Sequence, residues 1–352
     1  MLTLFEGESD GRGLGSASVR SDDVPTIHLL RRHALLAAKI LVVVGAYYGG
    51  GRLGLLSPIG AGDVSPLWPP TGIALVALLL WGPRVWPGVA IGAVLINYWP
   101  GEPPIQFVGS ALGSALAPLL GYLMLRAVDF RATLERLKDV IALLVLGGMT
   151  AMVVSATFSV VSLWLAGVLP RSAFAATWLV WWTGDAMGVL ILAPLLLTAR
   201  YARWPREIHP YRVIEAATLL ATMLAVIALA LHSPEQLLFI VFPFIIWAAW
   251  RFQLAGATPC VFLVTAISIY AASRGLGSFA GDSVLSHLIT LQAFSASTTL
   301  TALVLSVTIS ARNDARAHVR EVASQLATVV NQLDRRLRPR PEAPPYGKRD
   351  EL

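Results

Sequence analysis

Ten continuous apolar runs, separated by short polar connections, occupy most of the chain. They span 34–50, 69–81, 85–99, 105–125, 140–168, 174–198, 213–231, 236–250, 254–272 and 285–310. Such runs predict membrane-spanning helices, because a bilayer offers no water to unpaired backbone groups. A transmembrane barrel would instead show short segments of alternating polarity. The pattern therefore predicts an all-α polytopic transmembrane helical bundle.

The second and third runs are shorter than a usual span. A spanning helix needs about 20 residues, and these runs supply only about 20 Å of helix each. Gly82-Pro83-Arg84 joins them, and Pro69-Pro70 suits the first turn of a helix, where amides lack an intrahelical acceptor. The two runs are either short spans or a re-entrant hairpin, so the sequence predicts eight to ten spans.

Aromatic and polar residues mark the far ends of this hairpin. If both runs end below the outer surface, they leave a recessed outer cavity rimmed by Trp68, Asn97, Tyr98 and Trp99. The alternative is that Trp and Tyr anchor the membrane interface while Pro ends the helices. Both interpretations of this stretch stay open.

The sixth run carries an ionisable residue near its centre. Its residues at i, i+3, i+4 and i+7, on one predicted helix face, are Trp178, Trp181, Trp182 and Asp185. A carboxyl group there is costly and usually faces the bundle interior, where it marks a ligand or ion path. Gly184 and Gly188 form a close-approach pair beside it. The alternative is structural, with Asp185 only bonding a neighbouring helix.

Charge is sparse and unevenly placed. Charged residues make up 14% of the 352 residues, against about a quarter in soluble domains, and the mean hydropathy is +0.66. With the N-terminus inside, only Arg52, Arg171 and Arg274 of the 27 basic residues fall outside. Both termini are thus predicted to be cytoplasmic. Topology explains the net charge of +6, so no nucleic-acid partner is expected.

Signals for chemistry are few. Cys260 is the single cysteine, in an apolar run, and the six histidines are scattered. No metal-ligand spacing or Gly-rich phosphate loop occurs, so we expect no metal, no cofactor and no enzyme activity. Arg274-Gly-Leu-Gly could meet an anion, although a solvated turn is the commoner role of such a loop.

The chain continues past the last run as an amphipathic helix. Its apolar positions alternate in steps of three and four: Val319, Val322, Leu326, Val329 and Leu333. This seam of about two heptads predicts a parallel homodimer, and the alternative is a basic helix lying on anionic lipid. The predicted domains are a disordered N-terminus over 1–30, the membrane domain over 31–311, this helix over 312–338 and a disordered tail over 339–352.

Four stretches resemble a known family in this order. They are "SPLWPPTGIALVALLLWGPRVWPGVAIGAVLIN", "WLVWWTGDAMGVLILAPLLL", "LLFIVFPFIIWAAWRF" and "ASRGLGSFA". They resemble the bacterial membrane-associated sensor domain of the first class, the MASE-one family. The resemblance implies an integral sensory domain of the bacterial plasma membrane. Its pattern puts weight on Trp68, Pro69, Pro70, Gly72, Asn97, Trp182, Gly184, Asp185 and Arg274.

Two departures from the family shape the functional hypothesis. The fourth run lacks the polar Asn/Glu pair typical of the family, and no output domain follows the seam. We expect a stand-alone sensor that binds an unknown small-molecule ligand or membrane cue. It would signal to a separate cytoplasmic protein, a histidine kinase, diguanylate cyclase or phosphodiesterase. The alternative is an ion- or proton-coupled transporter that uses Asp185.

Overall fold

The protein is an all-α membrane bundle in a computed structural model, which describes residues 23–56, 65–98, 100–101, 103–202, 209–232, 238–276, 279 and 284–337. Over these ranges the structure is 89% helical and contains no strand. We number nine helices in chain order: α1 Asp23–Gly54, α2 Pro69–Trp81, α3 Trp86–Asn97, α4 Pro104–Ala127, α5 Leu137–Leu165, α6 Arg171–Tyr201, α7 Pro210–His232, α8 Leu238–Arg274 and α9 Val284–Leu337.

Every helix except α2 and α3 is long and apolar enough to cross a membrane, seven in all among the described residues. The all-α polytopic prediction is therefore confirmed. Helix α1 begins at Asp23, inside the segment that was predicted to be disordered, and residues 1–22 and 338–352 lie outside the described ranges.

Helix α8 folds back on itself at one residue. Gln253 has φ 54° and ψ −144°, a backbone conformation that no helix contains. Leu238 and Ile267, one on each side of this turn, line the same cavity, so the legs are antiparallel. The Arg251 guanidinium binds the Glu215 carboxylate at 2.7 Å, which places the turn near the start of α7. The eighth and ninth apolar runs are thus the two legs of α8.

Helices α2 and α3 form the predicted hairpin. Gly82 adopts φ 79° at the turn, where a side chain would be strained. Helix α3 lies parallel to α1, because Gly88 packs on the Ile40 carbonyl and Gly92 packs on the Tyr47 side chain. The hairpin is therefore buried against α1.

Small residues bring α4 and α5 close together. A Cβ atom at Gly113 would lie 2.8 Å from Phe158, and Gly109 packs directly on Ser162. About two helix turns further along α4, a Cβ atom at Gly121 would lie 3.3 Å from Ala151. Gly-rich stripes allow such close backbone approach in membranes, where packing rather than hydrophobicity holds helices together.

Helix α9 leaves the bundle without a break. Its buried residues Leu303 and Val307 pack on Val140 of α5, and the Ser310 hydroxyl donates to the Gln253 side-chain oxygen at 3.0 Å. We call these contacts the inner collar. From Ala311 to Leu333 the described side chains are exposed, including all five seam residues.

A buried ion pair secures the connection that precedes α5. The Asp139 side chain is 1% exposed and accepts hydrogen bonds from Arg136 at 2.8 and 2.9 Å. These bonds and the carboxylate charge raise the pKa of the Arg136 guanidinium above its ordinary value. Asp139 also accepts from the Arg131 amide at 3.2 Å, so the carboxylate fixes the fold of this connection.

Candidate functional site

A non-helical segment, Ser65 to Trp68, enters the bundle and meets the middle of α6. The Trp68 amide donates to the Gly184 carbonyl at 3.0 Å. A Cβ atom at Gly184 would lie 2.8 Å from the Ser65 carbonyl oxygen, and Gly188 packs directly on the Trp68 carbonyl. Both glycines are therefore required for this contact. The contact lies about 15 Å along α6 from Phe174, so irregular backbone reaches well into the bundle.

Thr71, in the first turn of α2, ties this segment to Asp185. Its side chain is 0% exposed. The hydroxyl oxygen lies 2.8 Å from the Trp68 carbonyl oxygen and 2.9 Å from the backbone carbonyl oxygen of Asp185. One hydroxyl thus bridges the segment and α6 directly beside the carboxyl group.

The Asp185 carboxyl group is buried among hydroxyl groups. Its side chain is 4% exposed, and the Ser155 hydroxyl of α5 donates to it. Within the described structure, its Oδ2 atom has no hydrogen-bond partner. We define the Asp185 cluster as six side chains from five helices and the entering segment. They are Tyr47, Trp68, Thr71, Ser114, Ser155 and Asp185.

Tyr47 of α1 completes the cluster opposite α6. It is 0% exposed, and its phenol lies near Asp185, Ser114 and Trp68. None of these neighbours forms a well-aligned hydrogen bond with the phenol oxygen, which has no partner in the described part of the chain. A buried polar atom without a partner is costly, so the cluster has spare donor and acceptor capacity.

The tryptophans of α6 pack against α5. Trp178 and Trp182 stack with centroids 5.7 Å apart, and the Trp182 indole donates to the Met149 carbonyl at 2.7 Å. Trp178 donates to the Thr157 hydroxyl at 3.1 Å, and Trp181 is half-buried. Two of the three predicted tryptophans therefore hold α5 to α6.

Both helices are π-helical where they meet. The π-helical stretches are Leu143–Thr150 in α5 and Gly188–Leu192 in α6. Such turns are rare and occur often at functional sites. Their carbonyl groups do not follow the hydrogen-bond pattern of an α-helix. The Met149 carbonyl that accepts from Trp182 belongs to the first stretch, so the indole stabilises this irregular backbone.

Helix α9 contacts the entering segment directly. The Gln292 side-chain amide donates to the Pro66 carbonyl at 2.8 Å. Pro66 is buried two residues before Trp68, which itself bonds α6. The segment is therefore held between the Asp185 helix and the helix that leaves the membrane.

Other predicted residues lie apart from this cluster. Asn97 donates to the Ala93 carbonyl of its own helix at 2.8 Å, and Tyr98 is 61% exposed. Arg274 ends α8, with its guanidinium 5.6 Å from the Tyr270 ring centroid. Trp99 lies outside the described residues.

Four residues of this site were not predicted from the sequence: Tyr47, Thr71, Ser155 and Gln292.

Two small cavities lie among the described helices. One lies between α7, α8 and α9, and the other lies between α6, α8 and α9. Neither is lined by Trp68, Asn97 or Asp185. No group of three His, Cys, Asp or Glu side chains in the described ranges could hold a metal ion. The site is thus a polar contact between packed helices.

A protein-family model covers most of the chain. No curated protein and no solved structure shows significant similarity to the chain. The MASE1 family model matches residues 39–313, which include α2 to α8 and the membrane part of α9. The chain therefore belongs to the MASE1 family of membrane-associated sensory domains.

Proposed function

We propose that the protein is a sensor that reads a small ligand or membrane cue at the Asp185 cluster and signals by moving α9. The observation that carries this proposal is the double contact of the entering segment. Trp68 bonds Gly184 on α6, while Pro66 accepts from Gln292 on α9. A change at Asp185 has a short route to the helix that leaves the membrane.

Signalling by this route requires that the cue bind more tightly to one position of the entering segment than to another. A cue shifts the equilibrium only by the difference between its affinities for the two states. The Thr71 hydroxyl contacts the backbone carbonyl of Asp185, so a movement of α6 at Asp185 also moves the start of α2. The unpartnered Asp185 oxygen supports this role, because a new partner there changes the balance directly.

The output lies in the exposed part of α9. Leu326 is 61% exposed and Val319 is 67% exposed, large apolar surfaces that water does not favour. Pairing of two seams in a parallel homodimer would cover them. The dimer would present the shift to a separate cytoplasmic kinase, diguanylate cyclase or phosphodiesterase, in two-component or cyclic di-GMP signalling.

Proximity labelling in the native membrane tests this function. The full chain is compared with a chain that ends at Ser310 and with a control that loses only residues 338–352. A signalling enzyme should be labelled by the full chain and by the control, and lost when the seam is removed. If no partner depends on the seam, signalling through a separate effector is excluded.

Transport is the second candidate, since a buried intramembrane carboxyl group is also typical of ion-coupled carriers. Asp185 is such a group. Reconstituted protein would then carry a proton or ion flux that Asp185→Asn abolishes. Flux without a seam-dependent partner would favour transport over sensing.

A further inference from the structure

A file of buried hydroxyl groups leads from the outer end of the bundle to Asp185. We define the hydroxyl file as Ser155, Ser159 and Ser162 of α5, which share one helix face at i, i+4 and i+7. Their exposed fractions are 1%, 0% and 4%. The file spans about 10 Å along α5, and its inner end is the serine that donates to Asp185.

The outer end of the file meets the first turn of α4. The Ser162 hydroxyl lies 2.7 Å from the Ser159 carbonyl oxygen and 3.3 Å from the Gln106 carbonyl oxygen. Gln106 is half-buried, two residues after the start of α4 at Pro104. Ser110 and Ser114 of α4 are also buried, at 5% and 4% exposed, and each follows a glycine that packs on α5.

Three oxygen atoms along this path have no hydrogen-bond partner in the described part of the protein. They are the Ser159 hydroxyl, the Asp185 Oδ2 atom and the Tyr47 hydroxyl. All three side chains are at least nine-tenths buried. Hydroxyl groups and water can relay protons, and these unpartnered atoms have the free donor or acceptor capacity that such a relay uses.

Few other titratable groups face Asp185. It meets the Tyr47 phenol of α1 and the Ser155 hydroxyl of α5. The Thr71 hydroxyl of α2 contacts the backbone carbonyl of Asp185, and the Ser114 hydroxyl of α4 lies beside Tyr47. Helix α9 brings the neutral amide of Gln292 to the adjoining segment. Among the described neighbours, no basic side chain neutralises the carboxyl group, so gain or loss of a proton changes the net charge of the Asp185 cluster by one unit.

We propose that the cue is the proton, which reaches Asp185 from the outer side through the hydroxyl file. The inference rests on the proposed sensory function and names its ligand. A proton from outer water passes along the file and joins the Asp185 carboxylate as a neutral acid, and the reverse step returns it to outer water. The acid donates through its O–H group, whereas the carboxylate only accepts, so protonation changes the hydrogen bonding with Ser155 and adds a donor near the unpartnered Tyr47 phenol.

Along α6, no hydroxyl group follows Asp185 on the inner side before Thr198. After Gly188, α6 continues with buried apolar side chains: Val189, Leu190, Ile191 and Leu192. They pack in the hydrophobic core that surrounds α2, α8 and α9. One-sided access distinguishes a proton sensor from a proton carrier, which must open to both sides in turn.

An apolar carbodiimide tests the proposal, because it reacts with protonated carboxyl groups in apolar surroundings. The full chain is placed in right-side-out membrane vesicles of fixed internal pH, and the outer pH is stepped. Mass spectrometry then follows labelling of Asp185 with time, with Asp139 on the predicted inner side as internal reference. Labelling of Asp185 should rise about tenfold per unit of outer acidification above its titration midpoint.

Ser159→Ala should remove the response of Asp185 labelling to a step in outer pH. The matched control is Ser306→Ala, since Ser306 is also fully buried and unpartnered but lies near the inner collar. Labelling that ignores outer pH, follows inner pH or is unchanged by Ser159→Ala would overturn the proposal. Seam-dependent partner labelling does not use pH, so its survival would leave the sensory function standing while the proton is rejected.

Discussion

Gln292 and Pro66 are 226 positions apart in the chain, and the Gln292 amide donates to the Pro66 carbonyl at 2.8 Å. Proline has no amide hydrogen, so its carbonyl is the only backbone group it offers. This bond joins α9 to the segment that contacts Gly184, and it gives the bundle one polar link between the site and the helix that leaves it.

Gln292→Leu should loosen the entering segment. The buried Pro66 carbonyl would lose its donor, at a cost of about 1–3 kcal/mol. Hydrogen exchange followed by mass spectrometry should show faster exchange of the Trp68 and Thr71 amides. Ile289→Leu, an exposed position one turn away on α9, is the control and should leave exchange unchanged. Equal protection of these amides from exchange in both variants would show that the hydrogen bond does not stabilise the entering segment.

Gly188→Ala should destabilise the bundle by about 1–3 kcal/mol, because its new methyl group would overlap the Trp68 carbonyl and the Thr71 hydroxyl. Thermal unfolding in detergent measures this change. Gly45→Ala is the control, since a Cβ atom at Gly45 meets nothing within 4 Å. A Gly188 variant as stable as the Gly45 variant would refute the close contact.

Trp182→Phe should destabilise the π-helical stretch of α5. The change keeps the ring that stacks on Trp178 and removes the hydrogen bond to the Met149 carbonyl, which is worth about 0.5–1.5 kcal/mol. Faster amide exchange around Met149 is the expected readout. Trp250→Phe serves for comparison, since Trp250 is 73% exposed, and it should not affect α5.

Cysteine crosslinking tests the dimer seam. In a Cys260→Ala background, Leu326→Cys should form a disulfide between two copies in the membrane, because a seam residue faces its counterpart. Ser324 is also exposed but lies on the opposite face of α9. Ser324→Cys should crosslink poorly, and equal yields at both positions would argue against a specific seam.

The sequence predicted the elements well because burial in a bilayer requires long continuous apolar runs. In the described part of the chain, each of the ten apolar runs is mainly helical, and two of them join at Gln253. The burial of Asp185 was also predicted, since an intramembrane carboxyl group must face protein, and the close approach at Gly184 and Gly188 was found at the expected place.

The partners of Asp185 could not be predicted in the same way. Tyr47 comes from α1, distant in the chain, and buried serines such as Ser155 interrupt an apolar run too weakly to be noticed. Asn97 and Arg274 lie apart from Asp185 because helix packing, rather than spacing along the chain, decides which ends meet.

In the proposed movement of α9, the inner collar would be the point about which the helix pivots. The helix is held near Ser310, about 27 Å from Gln292 and about 35 Å from Leu333. A rigid rod pivoting at that fulcrum converts a sideways displacement at Gln292 into a slightly larger displacement of Leu333 in the opposite direction. In a dimer, an outward swing of the membrane segments would therefore close the two seams, and an inward swing would part them.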